Sequence, residues 1–305
     1  MPGAERVLDF SLGQAHLSMR YEQLIVKRDG APDASIPMAE TAVVVLASRE
    51  VTCTLAVLDG LMRHGAAIVV CDWSMLPTGM MLPLAANTLQ TQRIIAQTNA
   101  PAPLRKRLWQ QVVQRKVRAQ AEMLETLHQD DGGLNALAER VRSGDPTNIE
   151  ATAAQRYWQC LFRDPDFRRR REAQDQNRLL NYGYAVLRAT VARALCASGL
   201  HPSVGLHHHG RTNAFCLADD LMEPYRPMID GEVFAIVAQR GKDTPVDGPA
   251  KSALVGIMHR RLRHAGESRS VMEWIGRSAA SLARHICREP TTEKRIFFPE
   301  SMVPP

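Results

Sequence analysis

The N-terminal part of the chain alternates apolar and polar positions over short stretches. Leu17, Met19 and Tyr21 alternate with polar neighbours, which is the period of a strand with one buried face. The segment from Thr52 to His64 repeats its leucines with a helical period, and Ala67 to Asp72 is again a short apolar run. This part therefore predicts a small β-rich module that contains a helix.

Beyond a break rich in proline and glycine, almost every segment has the period of a helix. The break falls between Met75 and Ala86, and we place the domain boundary there. The predicted helices span Leu104 to Leu127, a segment opened by Gly144–Glu150 that continues through Phe162, Asn177 to Leu200, Lys251 to His264 and Ser270 to Arg288. The pattern predicts an α+β protein with a β-rich domain at 1–75, a linker at 76–90 and a larger all-α domain at 91–305.

The chain has 305 residues and a formal net charge of +6, which permits a polyanionic partner without proving one. Its six cysteines are scattered without a Cys-x-x-Cys pair, as expected of reduced, mostly buried thiols. The sequence shows no apolar stretch as long as a membrane span and no N-terminal targeting pattern. We therefore predict a cytoplasmic protein with no membrane partner.

The segment from Gly205 to Pro227 carries more chemistry than packing requires. It holds the histidines 207–209 and three carboxylates, Asp219, Asp220 and Glu223. On a helix, positions three or four apart share a face, so each aspartate would lie near Glu223. Crowded carboxylates need a compensating cation, and a hard divalent metal with an imidazole as a further ligand is a natural occupant.

The same residues also have an ordinary structural interpretation. Asp219 and Asp220 would then be anions near a helix N-terminus, Glu223 a solvated residue, and the histidines surface polar groups. A similar ambiguity applies to Glu150. Thr147-x-x-Glu150 has the form of a capping box, in which the glutamate only reaches back to the first amide of its helix. Composition does not decide between these interpretations.

A run of basic residues without acidic ones extends from Leu104 to Ala121 on the first long helix. Such a run is typical either of a solvated helical face or of a stripe that follows a phosphate backbone. The candidate DNA contacts are Arg105, Lys106, Arg115 and Lys116 in this run, Arg168 and Arg169 in the four arginines at 168–171, and Arg211 and Arg226 beside the carboxylates.

Three motifs occur in order across the helical region. They are Ile149-Glu150-Ala151-x-Ala153-Ala154-x-x-Tyr157-Trp158, Asn181-Tyr182-Gly183-Tyr184-x-x-Leu187, and Gly205-x-His207-His208 leading into Leu217 to Pro227. Together they resemble the CRISPR adaptation integrases, the Cas-one family, and the resemblance extends over nearly the whole chain. The Leu-Ala-Asp-Asp-Leu-Met-Glu-Pro form and the short length resemble the branch that accompanies the single-protein RNA-guided effector nuclease of type II systems.

The resemblance implies an N-terminal β-domain, used for dimerisation and partner contact, joined to a helical catalytic domain. It implies a homodimer that assembles with the small Cas-two protein, with the effector nuclease as a further partner in that branch. It also implies the activity, which is that of a metal-dependent DNA endonuclease and integrase. Such an enzyme joins the 3′-hydroxyl ends of a short double-stranded DNA, the prespacer, to the CRISPR repeat by transesterification.

Carried over by motif, the family's catalytic metal ligands fall on Glu150, His208 and Glu223. Asp220 falls on the neighbouring acidic position that often joins the site, and Ala151 replaces a glycine that many members have. Two carboxylates and one imidazole suit Mg²⁺ or Mn²⁺. A metal held in this way would act as Lewis acid and template while the DNA 3′-hydroxyl attacks.

Two other functions compete with this interpretation. A non-catalytic DNA-binding or scaffolding subunit would use the acidic cluster structurally, but the complete set of Glu150, His208 and Glu223 disfavours it. A small-molecule metallohydrolase would need an enclosed pocket rather than basic stripes. We therefore expect an integrase first and a scaffold second.

Overall fold

The computed structural model describes residues 6–72, 77–83, 86–164, 166–170 and 172–303. The N-terminal elements are β1 (Arg6–Phe10), β2 (Ala15–Arg20), β3 (Gln23–Lys27), β4 (Ala34–Pro37), β5 (Thr41–Leu46), β6 (Val51–Cys53), α1 (Leu55–Arg63), β7 (Ala67–Cys71) and β8 (Pro77–Met81). The predicted β-rich N-terminal region and its helix are confirmed.

Among the residues that the structure describes, these strands form two sheets. The first has the order β1-β5-β7-β8, with β1, β5 and β7 parallel and β8 antiparallel at its edge. The second has the order β4-β3-β2-β6, in which β6 pairs in parallel with β2. Helix α1 packs on β2 of the second sheet.

Strand β5 lies inside the first sheet, and both of its faces are buried. Val43 and Val45 belong to the core of the helical region, whereas Val44 belongs to the core of the N-terminal region. A parallel strand covered on both faces is expected to be a continuous apolar run, as β5 is. The first sheet therefore contributes to both cores and holds the two regions together.

The rest of the chain is mostly helical. Its helices are α2 (Gln90–Thr98), α3 (Ala102–His128), α4 (Leu134–Arg140), α5 (Ile149–Leu161), α6 (Asn177–Ala197), α7 (Cys216–Met222), α8 (Arg226–Arg240), α9 (Gly248–Gly256) and α10 (Val271–Cys287). Helix α6 is buried over most of its surface because the first sheet and α7 to α10 surround it. Within the described residues we find no helix with the length and hydropathy of a membrane span.

The helical region is not all-α as predicted. Strands β9 (Arg261–His264) and β10 (Glu267–Ser270) form an antiparallel hairpin where the sequence predicts the end of a helix from Lys251 to His264. Burial alternates along β9, and Ala265 and Gly266 both take positive φ angles in the two-residue turn. Such a turn joins strands and cannot continue a helix, so α9 ends before it.

The predicted linker at 76–90 contains part of the first sheet. Strand β8 lies within it, and α2 begins at its last residue. Residues 73–76 and 84–85 lie outside the described part of the chain, so the limits of the domains at 1–75 and 91–305 stay a prediction. The two regions are also tied by hydrogen bonds, from Tyr182 Oη to Asp9 and from Arg193 Nε to the Gly65 carbonyl oxygen at 2.7 Å.

The motif glycine at 183 is required by the close approach of two helices. A Cβ built at Gly183 in α6 would lie 2.4 Å from Cγ2 of Ile229 in α8. Both residues are buried, so neither helix can move aside without opening the core. Gly276 in α10 is a natural contrast, because a Cβ there would meet no atom within 4 Å.

We expect Gly183→Ala to lower the free energy of unfolding by about 1–3 kcal/mol, because the added methyl group overpacks the contact between α6 and α8. The matched change Gly276→Ala should raise it by about 0.5–1 kcal/mol, since alanine has the higher helix propensity. Urea unfolding followed by circular dichroism measures both values. Effects of the same sign and size would contradict the packing argument.

Candidate active site

Helix α5 begins after a tight turn, and its first amides are capped by Asp145 and not by Glu150. Asp145 and Asn148 take positive φ angles in this turn. The Asp145 carboxylate accepts hydrogen bonds from the backbone N–H groups of Ile149 and Glu150, both at 2.9 Å. The interpretation of Thr147-x-x-Glu150 as a capping box is therefore wrong, because Asp145 satisfies the first amides of the helix.

Glu150 and Glu223 meet at one lysine, and we call Lys116, Glu150 and Glu223 the charged cluster. Nζ of Lys116 lies 2.7 Å from Oε1 of Glu150 and 2.6 Å from Oε2 of Glu223. The hydrogen bond to Glu150 is well directed, whereas Oε2 of Glu223 lies off the bonding direction and accepts no hydrogen bond within the described part of the chain. The side chain of Glu223 is only 3% exposed, so the cluster lies inside the protein.

Opposite charges in the cluster offset the penalty of burial. Burial favours the neutral form of Lys116, but the carboxylates of Glu223 and Glu150 outweigh it and raise the pKa of the ammonium group. Burial likewise opposes the charge on Glu223, but Arg226 and Lys116 lower the pKa of this carboxyl group. Nη1 of Arg226 lies 3.1 Å from Oε1 of Glu223. Glu223 is therefore held ionised between two cations.

The loop before α7 folds over the buried carboxylate of Asp220. This carboxylate accepts hydrogen bonds from the backbone N–H groups of Leu206, His207 and His208. A Cβ at Gly205 would lie 2.2 Å from the carbonyl oxygen of His208, so only glycine permits the loop to close in this way. The Gly205-x-His207-His208 motif thus encodes the shape of the loop.

Asp220 also orients the ring of His208. Nδ1 of His208 lies 2.6 Å from Oδ1 of Asp220, and this hydrogen bond raises the pKa of the imidazole. An ionised carboxylate only accepts, so Nδ1 carries the proton in the neutral ring and Nε2 keeps its lone pair. His207 instead stacks on the buried Trp109, with ring centres 4.5 Å apart. The geometry thus distinguishes His208 from His207 as a candidate ligand.

The two adjacent aspartates have partners of their own. Asp219 pairs with Nε of Arg188 at 2.6 Å and accepts a hydrogen bond from Nδ2 of Asn213 at 2.8 Å. Both oxygens of Asp220 accept hydrogen bonds from the loop amides and the histidine ring, and its role beside a metal stays a prediction. Glu223 is the carboxylate of this segment that reaches the charged cluster, and its interpretation as a solvated residue is wrong.

A second buried network lies behind the charged cluster. The guanidinium carbon of Arg226 lies 4.8 Å from the ring centre of Tyr184, and that of Arg169 lies 5.3 Å from it. Tyr184 and Tyr157 both donate hydrogen bonds to the carboxylate of Asp230. Burial raises the pKa of Asp230 to about 7, against the effect of these hydrogen bonds. The network connects the site to α5, α6 and α8.

The donor set fits a divalent metal. Two carboxylates and an imidazole nitrogen are ligands that Mg²⁺ and Mn²⁺ accept. The position of Nζ of Lys116 shows that the two glutamates already bracket a cation, and Oε2 of Glu223 is buried and accepts no hydrogen bond from the described residues. Over the described ranges, no three His, Cys, Asp or Glu side chains converge closely enough in this structure to hold a metal ion.

The predicted DNA contacts differ in exposure and in their partners. Arg105, Lys106, Arg168 and Arg211 are exposed, and Nη1 of Arg168 donates to the Phe167 carbonyl oxygen at 2.8 Å. Arg115 is held against the C-terminal segment, since its Nε donates to the Pro299 carbonyl oxygen at 3.1 Å and its Nη1 pairs with Glu122. Lys116, Arg169 and Arg226 belong to the two networks described above. The fourth arginine of the run at 168–171 lies outside the described residues.

Sequence reasoning assigns Lys116 to DNA and overlooks Trp109 and Asp230. Lys116 carries a visible signal, because it follows Val112 and Val113 by four and three residues and so shares their buried face of α3. Trp109 lies on the same helix and could be found by the same argument. The neighbours of Asp230 in the sequence do not indicate its partners, which come from α5 and α6.

Comparison with solved structures defines the class of fold. The chain matches a casposase bound to integration product with a TM-score of 0.76 and 18% identity, over 95% of this chain and 93% of that one. It matches a chain of a Cas6-RT-Cas1–Cas2 complex with a TM-score of 0.75 and 18% identity, over 96% of this chain and 36% of that one. At this identity the likeness concerns the fold, which is that of Cas1 and casposase chains.

The family follows from the sequence comparison. Residues 12–247 match the family model described as CRISPR associated protein Cas1. The chain is 36% identical over 286 residues to the CRISPR-associated endonuclease Cas1 of Neisseria meningitidis serogroup C (strain 8013), which covers 93% of this chain and 92% of the relative. The chain belongs to the Cas1 family, the Cas-one family that its motifs indicate.

The raised pKa of Asp230 predicts a pH dependence of stability. The folded state binds this proton more tightly than the unfolded state does, because the pKa rises from 3.8 to about 7. The resulting stabilisation is complete below pH about 4 and is lost as the pH rises through about 7. Asp230→Asn keeps the shape but does not titrate, so the stability of the wild type relative to the variant should fall over this range. Urea unfolding at stepped pH measures the difference, and a constant difference would contradict the assignment.

Proposed function

We propose that the protein is a metal-dependent DNA integrase and endonuclease of CRISPR adaptation. Its reaction joins the 3′-hydroxyl ends of a short DNA duplex to the CRISPR repeat by transesterification. The observation that carries the proposal is the charged cluster, in which carboxylates from α5 and from the turn after α7 bracket one cation position. The pKa of His208 is raised first by its hydrogen bond to Asp220 and also by the negative charges of Glu223 and Glu150.

The residues of the chain hold the metal and position the DNA. Glu150, Glu223 and Nε2 of His208 would bind Mg²⁺ or Mn²⁺, and the metal when bound supplies a Lewis acid at the reacting phosphate. Asp220 keeps the His208 ring in the orientation and tautomer that this requires. Transesterification needs no covalent enzyme intermediate, so the remaining task of the protein is to hold the 3′-hydroxyl in line with the phosphate.

A cleft beside the histidine loop offers a path for the DNA end. It has a volume of about 510 Å³, and its lining includes Arg105, Lys106, Trp109, His207 and His209. Arg105 and Lys106 are exposed, and so is His207, whose ring stacks on the buried Trp109. Cations suit the phosphates of an entering strand, and a flat aromatic surface suits its bases. We therefore place the entering strand along the start of α3.

Similar proteins support the partners that we propose. The casposase has an integration product bound, and the Cas1 chain of the other complex occurs together with Cas2. By analogy this chain binds double-stranded DNA as prespacer and repeat, forms a homodimer and assembles with Cas2 through the β-rich domain. Similarity to the Neisseria meningitidis relative supports the type II branch, in which the effector nuclease is a further partner.

One observation favours a second function, a non-catalytic DNA-binding scaffold. Lys116 lies between the two carboxylates, and a buried ion cluster of this kind also serves as a purely structural element. A scaffold would bind the duplex and Cas2 but would join no strands with any metal. Strand joining therefore separates the two functions.

We expect Glu150→Gln, His208→Ala and Glu223→Gln each to lower the strand-joining rate by more than about a hundredfold, because each removes a ligand of the reacting centre. The matched control Glu139→Gln removes an exposed carboxylate that pairs with Arg118 and should leave the rate unchanged. The measurement is the joining of a labelled duplex to repeat DNA with Mn²⁺ and Cas2, with duplex affinity determined in parallel.

A wild-type joining rate in any one of the three variants would remove that residue from the site. Glu150→Gln is the most informative, because Asp145 provides the helix cap and the glutamate is left without a capping role. If the unmodified protein binds the duplex but joins no strands with Mg²⁺ or Mn²⁺, the scaffold replaces the integrase.

Neutralising Arg105 and Lys106 tests the path of the DNA. Arg105→Gln/Lys106→Gln should weaken binding equally for unrelated duplexes, since phosphate contacts carry no sequence information. The slope of log affinity against log salt should fall by about 0.9 for each lost contact. Arg261→Gln/Arg263→Gln removes the same charge from an exposed pair on β9 and should leave the slope unchanged. A salt titration on two duplexes of different sequence measures the affinities and the slopes. An unchanged slope in Arg105→Gln/Lys106→Gln would assign these two residues to a solvated face.

A further inference from the structure

Lys116 occupies the position that the proposed function assigns to a metal. Its Nζ lies 2.7 Å from Oε1 of Glu150 and 2.6 Å from Oε2 of Glu223. A Mg²⁺ ion bound by the same oxygens would lie about 2.1 Å from each of them. An ammonium group and a metal ion cannot fit between the same two oxygens at once.

The two carboxylates nevertheless need a cation when no metal is bound. The side chains of Glu223 and Glu150 are 3% and 20% exposed, so water screens their repulsion poorly. Arg226 contacts Oε1 of Glu223, but Oε2 faces Lys116 and accepts no hydrogen bond within the described residues. Removing one partner from a buried ion pair leaves an uncompensated charge, which is strongly destabilising.

We propose that Lys116 is a resident counter-cation that holds Glu150 and Glu223 together in the metal-free protein, and that a metal binds by displacing its ammonium group. This inference rests on the proposed function, because it takes the two glutamates as metal ligands. The acidic pair is then assembled before the metal arrives. Because the metal must break the contacts of the lysine, it binds more weakly than it would to the bare pair.

The structure permits Nζ to leave without moving its helix. Val112, Val113 and Val117 fix α3 in the core, and each is fully buried. The lysine side chain is a flexible four-carbon stem, so its end can move while the backbone stays in place. Arg226 differs, because its guanidinium group packs over the ring of Tyr184. Of Lys116 and Arg226, which both contact Glu223, Lys116 is therefore the cation that a metal displaces.

Lys116→Met tests the proposal without DNA, since methionine removes the charge but keeps most of the length. In chelator-treated protein the variant should melt at a lower temperature than the wild type, because the partly buried Glu150 and Oε2 of the buried Glu223 lose the cation that they share. Mn²⁺, followed by the electron paramagnetic resonance signal of the free ion, should bind at least about tenfold more tightly to the variant. Mn²⁺ should also raise the melting temperature of the variant by more than that of the wild type.

Arg118→Met is the matched control from the same helix. It breaks an exposed ion pair with Glu139 and should change neither the metal-free melting temperature nor Mn²⁺ binding. If Lys116→Met does not fold without metal, the double variant Lys116→Met/Glu150→Gln is measured in its place. This double variant removes one charge of each sign, so its metal-free stability should recover towards that of the wild type while its Mn²⁺ binding weakens.

An unchanged or higher metal-free melting temperature in Lys116→Met overturns the counter-cation role. If Mn²⁺ binds to Lys116→Met as weakly as to the wild type, or more weakly, the displacement is overturned. Lys116 would then have no effect on metal binding or would favour it. A failure of the proposed function gives another result. Mn²⁺ would then bind more tightly to Lys116→Met than to the wild type, as expected, but the wild type would join no strands. Absence of Mn²⁺ binding in every folded protein overturns both.

Discussion

The candidate site depends on holding together two carboxylates from different segments, the buried Glu223 and the partly buried Glu150. Glu150 lies in the first turn of α5 and Glu223 follows α7, and two carboxylates this poorly exposed to water repel each other unless a cation lies between them. Lys116 supplies the cation from the buried side of α3. Because one ammonium group contacts both carboxylates, it also sets the distance between their two segments. The contact that permits burial therefore brings the two acids of the candidate site together.

The support for this contact begins in the first sheet. Strands β5 and β7 bury side chains on both faces, and α6 packs against them. Helix α6 carries Tyr184, whose ring packs against Arg226, and Arg226 pairs with Oε1 of Glu223. The site is thus tied to the sheet through one packed helix and two side chains. A change in the packing of α6 would reach Glu223 by this route.

Periodicity predicts the long helices α3, α6 and α10 because burial decides them locally, whereas α2, α4 and α8 are not among the predicted helices. The hairpin β9–β10 is misread because four residues are too few to separate a period of two from a helical one. The ligand types are visible in Gly205–Pro227, but their partners are not. Lys116 and Arg115 contact residues 34 and 185 positions away, and a positive charge on a helix suits solvent, DNA or a buried carboxylate equally well.

The spacing of Asp219, Asp220 and Glu223 explains why these three side chains point in different directions. Successive residues of an α-helix point about 100° apart, so neighbouring aspartates cannot share a direction. Asp219 turns towards α6, Asp220 lies beneath the histidine loop, and Glu223 follows the end of α7 and faces α3. A second acid for the site must come from another segment, and α5 provides it in Glu150. Carboxylates from separate segments repel each other and stay together only where a cation lies between them. Lys116 supplies this cation at the position where the proposed chemistry needs a metal.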